Sequence, residues 1–142
     1  MGNHRGDTDS GYEKLEIFKL SRDLAIRVHQ MTLNLPKFEM YEEGSQIRRS
    51  SKSIIANIVE GYCLRRHVNE YLQYLHRAFA SCEETRLHLR MLRETASLKD
   101  ETLFADLYLR YDQLGKMMFR FIESVGEGHM TPRYVKEPDI PL

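Results

Sequence analysis

Apolar side chains recur at seven-residue intervals along the stretch between residues 67 and 96. One row of this repeat holds Val68, Leu75, Cys82, Leu89 and Ala96, and the companion row holds Tyr71, Ala78, Thr85 and Leu92. Two rows at this spacing form one continuous seam on an α-helix, as in a coiled coil. Leu72 and Phe79 widen the seam beyond the needs of a two-stranded zipper, which indicates a helix inside a bundle. The pattern predicts a long helix from about His67 to Thr95.

Two amphipathic helices are predicted before this stretch. The first runs from about Glu13 to Asn34, where the residue preceding Pro36 is disfavoured in a helix. Its apolar stripe consists of Ile17, Leu20, Leu24, Val28, Met31 and Leu35. The second runs from about Glu42 or Ser45 to Tyr62, and the connection between the two offers Phe38 and Tyr41 to pack over a bundle end.

A fourth helix is predicted from about Asp100 to Val125. Phe104, Tyr111, Met118 and Val125 share one of its heptad positions, and Leu107, Leu114 and Phe121 share the other. Four amphipathic helices with mostly short links, and no strand-like alternation, predict an all-α fold, an antiparallel up-down-up-down four-helix bundle.

The 142 residues suit a single domain with two appendages. Residues 1–12 are small and polar, and we interpret them as a flexible N-terminal arm. Residues 13–125 form the predicted bundle. Residues 126–142 carry three of the four prolines, and we expect an extended C-terminal tail.

The chain carries 21 basic and 21 acidic residues, so its formal net charge is zero. A dedicated nucleic-acid binder usually has a basic excess, because phosphate contacts dominate its affinity. A neutral chain also lacks the repulsion between copies that keeps many proteins monomeric. The two cysteines make no disulfide framework, and no signal peptide or spanning segment is apparent, so we expect a cytoplasmic protein.

Two basic groups are the candidates for contact with nucleic acid. Arg48, Arg49 and Lys52 belong to the second helix, whereas Arg86, Arg90 and Arg93 share one face of the third. A ring of identical copies would repeat such a face and create a locally positive surface. The alternative is that these side chains form surface ion pairs with nearby acids, namely Glu83, Glu84, Glu94, Asp106 and Asp112.

Asn57, Glu60 and Gly61 form a candidate structural motif at the end of the second helix. Gly61 can adopt the left-handed conformation that ends a helix. A carboxylate is unfavourable near the negative end of the helix dipole, so Glu60 needs a partner. The amide of Asn57 must form hydrogen bonds if it is buried. We interpret the three as a hydrogen-bonded lock at the helix end, with a functional surface as the alternative.

No residue set nominates an enzyme active site, a metal site or a cofactor. The Glu-x-x-His pattern of di-iron bundles does not occur, nor does a glycine-rich phosphate loop. Cys82 lies on the seam and is expected to be a small buried group rather than a nucleophile. Seven aromatic residues at helical spacing are assigned to the core or to an interface: Tyr71, Phe79, Phe104, Tyr108, Tyr111, Phe119 and Phe121. Some exceed what one slender bundle can bury, which favours association with another chain.

Two segments resemble a known bacterial family. They are "LPKFEMYEEGSQIRRSSKSIIANIVEGY", residues 35–62, and "NEYLQYLHRAFASCEET", residues 69–85. The matching residues are Gln46, Ile47, Arg48, Arg49, Ser53, Ile54, Asn57, Ile58, Glu60, Gly61, Glu70, Tyr71, Leu75, Ala78, Ser81 and Glu84. The family is that of the four-helix-bundle proteins encoded within intervening sequences of 23S ribosomal RNA genes. The chain departs from its usual residues at Ser50, Ile55 and Val59.

The resemblance implies a small intracellular bundle without catalytic activity that assembles into a ring-like homo-oligomer, often a pentamer. A distant relative, the accessory protein of diversity-generating retroelements, binds a reverse transcriptase and nucleic acid. The resemblance therefore suggests RNA, DNA or a reverse-transcriptase-like enzyme as a partner. The alternative left open is a purely protein-binding or self-assembling module.

Overall fold

The seven-residue seam forms the longest helix of the protein. The structure, a computed structural model, describes residues 11–128. The seam helix, α3, spans Val68–Glu94, and all of its predicted seam residues up to Leu92 are buried. Ala96 is the one wrong member, because the helix ends before it and its side chain is exposed.

Three further long helices complete the described part of the chain. Helix α1 spans Glu16–Thr32, α2 spans Glu43–Cys63 and α4 spans Glu101–Gly126. Tyr12–Lys14 forms a 3-10 turn and Lys37–Met40 a single helical turn. Residues 11–128 contain no strand, and the all-α prediction is confirmed. The predicted arm and tail fall almost entirely outside the described residues.

The helices occupy the corners of a square, since each packs against the next in sequence and α1 packs against α4. Helices α1 and α3 therefore lie at diagonal corners. Contacts between α2 and α3 join Glu43 to His88 at one end and Gly61 to Tyr74 at the other. Early residues of one helix thus meet late residues of its neighbour, which is the antiparallel arrangement of an up-down bundle.

The interior is one apolar core with two tyrosines at its centre. Tyr71 and Tyr111 are fully buried, together with leucine and isoleucine side chains from all four helices. Burial against this core holds the helices together, because removal of apolar surface from water is the main favourable contribution to folding. No helix within residues 11–128 is both long enough and apolar enough to cross a membrane.

The connection between α1 and α2 differs from the prediction. Phe38 and Tyr41 do not cover the bundle end, because they are 64% and 79% exposed. Glu39 is buried instead: its carboxylate accepts hydrogen bonds from Ser97 Oγ at 2.6 Å and from the backbone N–H of Glu43 at 3.3 Å. A carboxylate at the positive end of α2 is favourable, and here it also ties both connections at this bundle end together.

Helix α3 ends in a Schellman motif that is built around an alanine. The backbone N–H of Ser97 donates to Leu92 O at 2.9 Å, and that of Ala96 donates to Arg93 O at 3.0 Å. This geometry places Ala96 at φ 66°, a left-handed conformation that glycine adopts far more readily. The seven-residue pattern suggested a helical residue here, but the chain turns one residue too early.

Replacement of Ala96 by glycine should stabilise the protein. We expect Ala96→Gly to raise the free energy of unfolding by about 0.5–1 kcal/mol, because it relieves left-handed strain that exceeds the added freedom of the unfolded chain. Ala80→Gly, at an exposed position inside α3, should instead lower it by about 1 kcal/mol. Urea unfolding of both variants checks the prediction, and a loss of stability in Ala96→Gly would contradict it.

Candidate functional site

Hydroxyl groups line the contact between α2 and α3. Ser53 Oγ lies 3.0 Å from Ser81 Oγ, and Ser50 Oγ lies 2.8 Å from Thr85 Oγ1. Ser50 and Thr85 are fully enclosed, and each also donates to or accepts from the backbone of its own helix. Paired hydroxyl groups in a buried contact fix the register of the two helices, since a shifted register would leave them without partners.

The candidate motif of Asn57, Glu60 and Gly61 belongs to this same contact. Asn57 is half-buried, and its amide donates to Ser53 O at 2.9 Å and to Ser53 Oγ at 3.1 Å. The hydrogen bonds therefore lie within the helix, one turn before Asn57, rather than at its end. Glu60 is exposed and makes no hydrogen bond or ion pair within residues 11–128.

The prediction that Gly61 ends the helix is wrong. Helix α2 continues through it to Cys63. A Cβ atom at position 61 would lie 3.0 Å from Tyr74 Cβ and 3.2 Å from Tyr71 Cδ1, so the glycine is required by the close approach of α3. The three residues lie on one helix but have separate surroundings: a side-chain hydrogen bond, an exposed charge and a helix crossing.

The arginines of α3 are engaged in ion pairs. Arg86 reaches Glu83 at 3.2 Å and Asp112 at 3.6 Å, and its guanidinium lies 4.8 Å from the centre of the Tyr108 ring. Partial burial lowers the pKa of Arg86, but Glu83 and its other neighbours outweigh that effect and leave the pKa raised. These contacts fix Arg86 against α4.

The other two arginines of this face also have acidic neighbours. Arg93 donates to Glu101 at 2.6 Å and to Leu98 O at 3.2 Å, whereas the exposed Arg90 lies 3.6 Å from Glu94. The ion pairs with Glu83, Asp112 and Glu94 agree with the structural alternative for this group. Asp106 pairs with Arg27 and Arg110 instead, and Glu84 pairs with His88.

The basic residues of α2 divide into two kinds. Arg48 is structural: it donates to Thr32 Oγ1 at 2.9 Å and to Met40 O at 2.7 Å, which anchors the connection between α1 and α2. Arg49 and Lys52 are exposed, and neither forms an ion pair within the described part of the chain. These two cations are the members of the predicted set with charges left open to another molecule.

Lys52 borders a groove between α1 and α2. The groove has a volume of about 400 Å³ and is lined by Arg22, Ala25, Ile26, His29, Gln30, Lys52 and Ile55. Ile26 and Ile55 give it an apolar floor, and Lys52 and Arg22 place positive charges beside that floor. Arg22 lies 3.5 Å from Asp23, which partly offsets its charge.

Large apolar side chains are exposed on opposite sides of the bundle. Ile26 and Leu33 lie on and directly after α1, and Leu87 and Met91 lie one helical turn apart on α3. Because α1 and α3 occupy diagonal corners, these two apolar patches face away from each other. The sequence analysis missed Leu87 and Met91, although their four-residue spacing outside the seam was a usable signal.

Reactive groups in residues 11–128 do not assemble into a catalytic or metal centre. No cluster of three or more histidine, cysteine and acidic side chains that could hold a metal occurs there. Burial raises the pKa of the Cys82 thiol to about 12, and the thiol donates a weak hydrogen bond to Tyr111 O at 3.4 Å. Burial also raises the pKa of Tyr111. Both groups stay protonated near neutral pH and are poor nucleophiles.

The close approach at Gly61 can be tested by adding a methyl group. Gly61→Ala should lower the free energy of unfolding by about 1–2 kcal/mol, because the rigid Tyr74 Cβ cannot move away without separating the helices. Gly115→Ala in α4 is the matched control: a Cβ there meets no atom nearer than 3.7 Å, so the gain in helix propensity should raise stability by about 0.5–1 kcal/mol. Equal effects of the two substitutions in chemical denaturation would contradict the packing explanation.

The chain was also compared with known proteins. No curated protein matches it. The family model of the 23S rRNA-intervening sequence protein matches residues 13–120, a range that covers all of α1, α2 and α3 and most of α4. This match agrees with the resemblance found in residues 35–62 and 69–85, and the four-helix structure agrees with a helical bundle family. The chain belongs to the 23S rRNA-intervening sequence protein family.

Proposed function

We propose that this protein is a non-enzymatic scaffold that acts as a homo-oligomer. The observation that carries the proposal is the pair of exposed apolar patches on opposite sides of the bundle, Ile26 with Leu33 and Leu87 with Met91. Exposed apolar patches of this kind mark contacts with other chains. A protein with two such patches can touch two neighbours at once.

Contact between unlike patches leads to a closed ring. A patch that meets a different patch on the next copy forms a heterologous interface, which closes into a ring when the rotation between copies allows it. The zero net charge of the chain favours this association, because the copies do not repel each other at long range. A five-membered ring is the assembly that the family resemblance implies.

Removal of one apolar patch should reduce the mass of the assembly. The native protein should show several times the monomer mass by light scattering, and Leu87→Ser with Met91→Ser should lower it without loss of helix, since both side chains are already 51% and 36% exposed. Phe38→Ser, at a 64% exposed residue near the bundle end, is the control and should leave the mass unchanged. A monomeric native protein would contradict the proposal.

A mixing experiment distinguishes unlike patches from like ones. A variant that lacks Ile26 and Leu33 and a variant that lacks Leu87 and Met91 each retain one intact patch. If unlike patches meet, equal amounts of the two should form a heterodimer, because only one productive interface remains. If like patches meet, each variant should instead form homodimers by itself.

A second candidate function is contact with nucleic acid, with the exposed Arg49 and Lys52 as the observation in its favour. These cations lie three residues apart on α2, close to the groove that borders α1. Cations without acidic partners can exchange condensed counterions for phosphate contacts at little cost. The paired arginines Arg86, Arg90 and Arg93 would first have to give up their ion pairs. The scaffold could therefore hold RNA, DNA or a nucleic-acid enzyme near its α1–α2 side.

Salt dependence tests this second function. Arg49→Ala with Lys52→Ala should weaken RNA binding at low salt and reduce the slope of log affinity against log salt concentration by about 1–2. Arg90→Ala is the control, because it removes an exposed arginine that already has a carboxylate neighbour. Filter binding at several salt concentrations provides the measurement. RNA retention that is unchanged in the double variant, or absent from the native protein, would assign the scaffold to protein binding alone.

A further inference from the structure

A groove with aromatic walls runs between α3 and α4 on another side of the bundle. Its volume is about 250 Å³, and its lining includes Phe79 from α3 and Phe119 from α4, with Gly115 between them. Phe79 is half-buried, whereas Phe119 is 54% exposed. Two phenylalanine rings beside a residue without a side chain leave an apolar channel open to solvent.

Packing within the chain does not explain the glycine of this groove. Glycine inside a helix costs roughly 0.5–1 kcal/mol relative to alanine. At Gly61 that cost is offset by a close helix crossing, but a Cβ at position 115 would meet Glu83 Oε2 at 3.7 Å and Cys82 Sγ at 3.9 Å, which are ordinary contact distances. The missing methyl group therefore deepens the groove without serving the bundle.

The groove also has an uncompensated positive charge. Of its four charged side chains, Glu83 and Asp112 pair with Arg86, and Lys116 lies 3.2 Å from Asp112. Arg120 is exposed and forms no ion pair within residues 11–128. An occupant with apolar groups for the rings and an acidic group for Arg120 would complement the site.

The segment 137–141 of this chain, Glu-Pro-Asp-Ile-Pro, has this chemistry. Prolines three residues apart fall on one face of a polyproline II helix, and such segments bind in aromatic grooves because little conformational entropy is lost. Glu137 and Asp139 supply the negative charge. Arg133 and Lys136 lie before the segment and remain outside it.

Chain length allows this segment to reach the groove of its own protomer. Phe119 lies nine residues before Gly128, and a helical rise over nine residues is about 13 Å. Pro138 follows Gly128 by ten residues, which span at most about 33–36 Å when extended. Pro132 follows Gly128 by only four residues, or about 13–14 Å, and barely reaches the aromatic pair.

We propose that residues 137–141 bind back into the groove formed by Phe79, Gly115 and Phe119, with their acidic groups next to Arg120. The bound segment covers the exposed Phe119 ring and occupies the space that Gly115 leaves. The inference does not depend on the assembly of copies, since it concerns a different face and a contact within one protomer.

Trypsin cleavage after Lys136 in the full-length protein tests the proposal. Bound residues cannot enter the protease site, so cleavage tracks the unbound fraction. We expect cleavage roughly tenfold slower than in a synthetic peptide of residues 129–142 present as an internal standard, which corresponds to about 1.4 kcal/mol of binding. Gly115→Ala and Phe119→Ser should each bring the rate close to that of the peptide, and Arg120→Gln should accelerate it by a smaller factor.

Two controls separate groove binding from effects on folding. Gly115→Ala should release the segment while the bundle becomes more stable, so faster cleavage cannot be attributed to unfolding. Phe38→Ser removes an exposed ring elsewhere and should leave the cleavage rate unchanged. Cleavage rates that do not differ between the native protein and the Gly115→Ala and Phe119→Ser variants would overturn the proposal. Protection that increases with protein concentration would also overturn it, and would assign the groove to a neighbouring copy.

Discussion

The close crossing of α2 and α3 is the constraint on which the rest of the structure depends. Gly61 lets the backbone of α2 approach Tyr71 and Tyr74, and the hydroxyl pairs further along the helices fix one register. Tyr71 is thereby held at the centre of the core, where Tyr111 from α4 is also fully buried. A shifted register would bury a serine against apolar side chains and expose part of the seven-residue seam.

This arrangement leaves most of the polar groups occupied within the protomer. The arginines that seemed free in the sequence hold connections and helix pairs together, as Arg48 does through Thr32 and Met40 O, and Arg86 through Asp112. Surface ion pairs contribute little to stability individually, but they neutralise charge that could otherwise attract phosphate. What distinguishes the exterior is therefore its apolar patches and the few cations without partners.

The sequence predicted the helices well because burial repeats with the helical period. The rows of α3 and α4 identified nearly every core residue, and only Ala96 was placed on the wrong side of a helix end. Gly61 was misassigned because local propensity cannot distinguish a glycine that ends a helix from one that admits a neighbour. Likewise, the burial of Glu39 depends on Ser97, 58 residues away, and no local pattern carries that contact.

The two glycines at helix contacts show how interior and exterior can be separated physically. Gly61 is crowded by tyrosine atoms at 3.0–3.2 Å, so its lack of a side chain serves the fold. Gly115 has no neighbour nearer than 3.7 Å and lies beside an exposed phenylalanine, so its lack of a side chain serves a surface. A residue that costs helix stability without any benefit to packing is expected where another segment has to approach. By this reasoning the face of α3 and α4 around Gly115 is a binding surface in its own right, distinct from the apolar patches on α1 and α3.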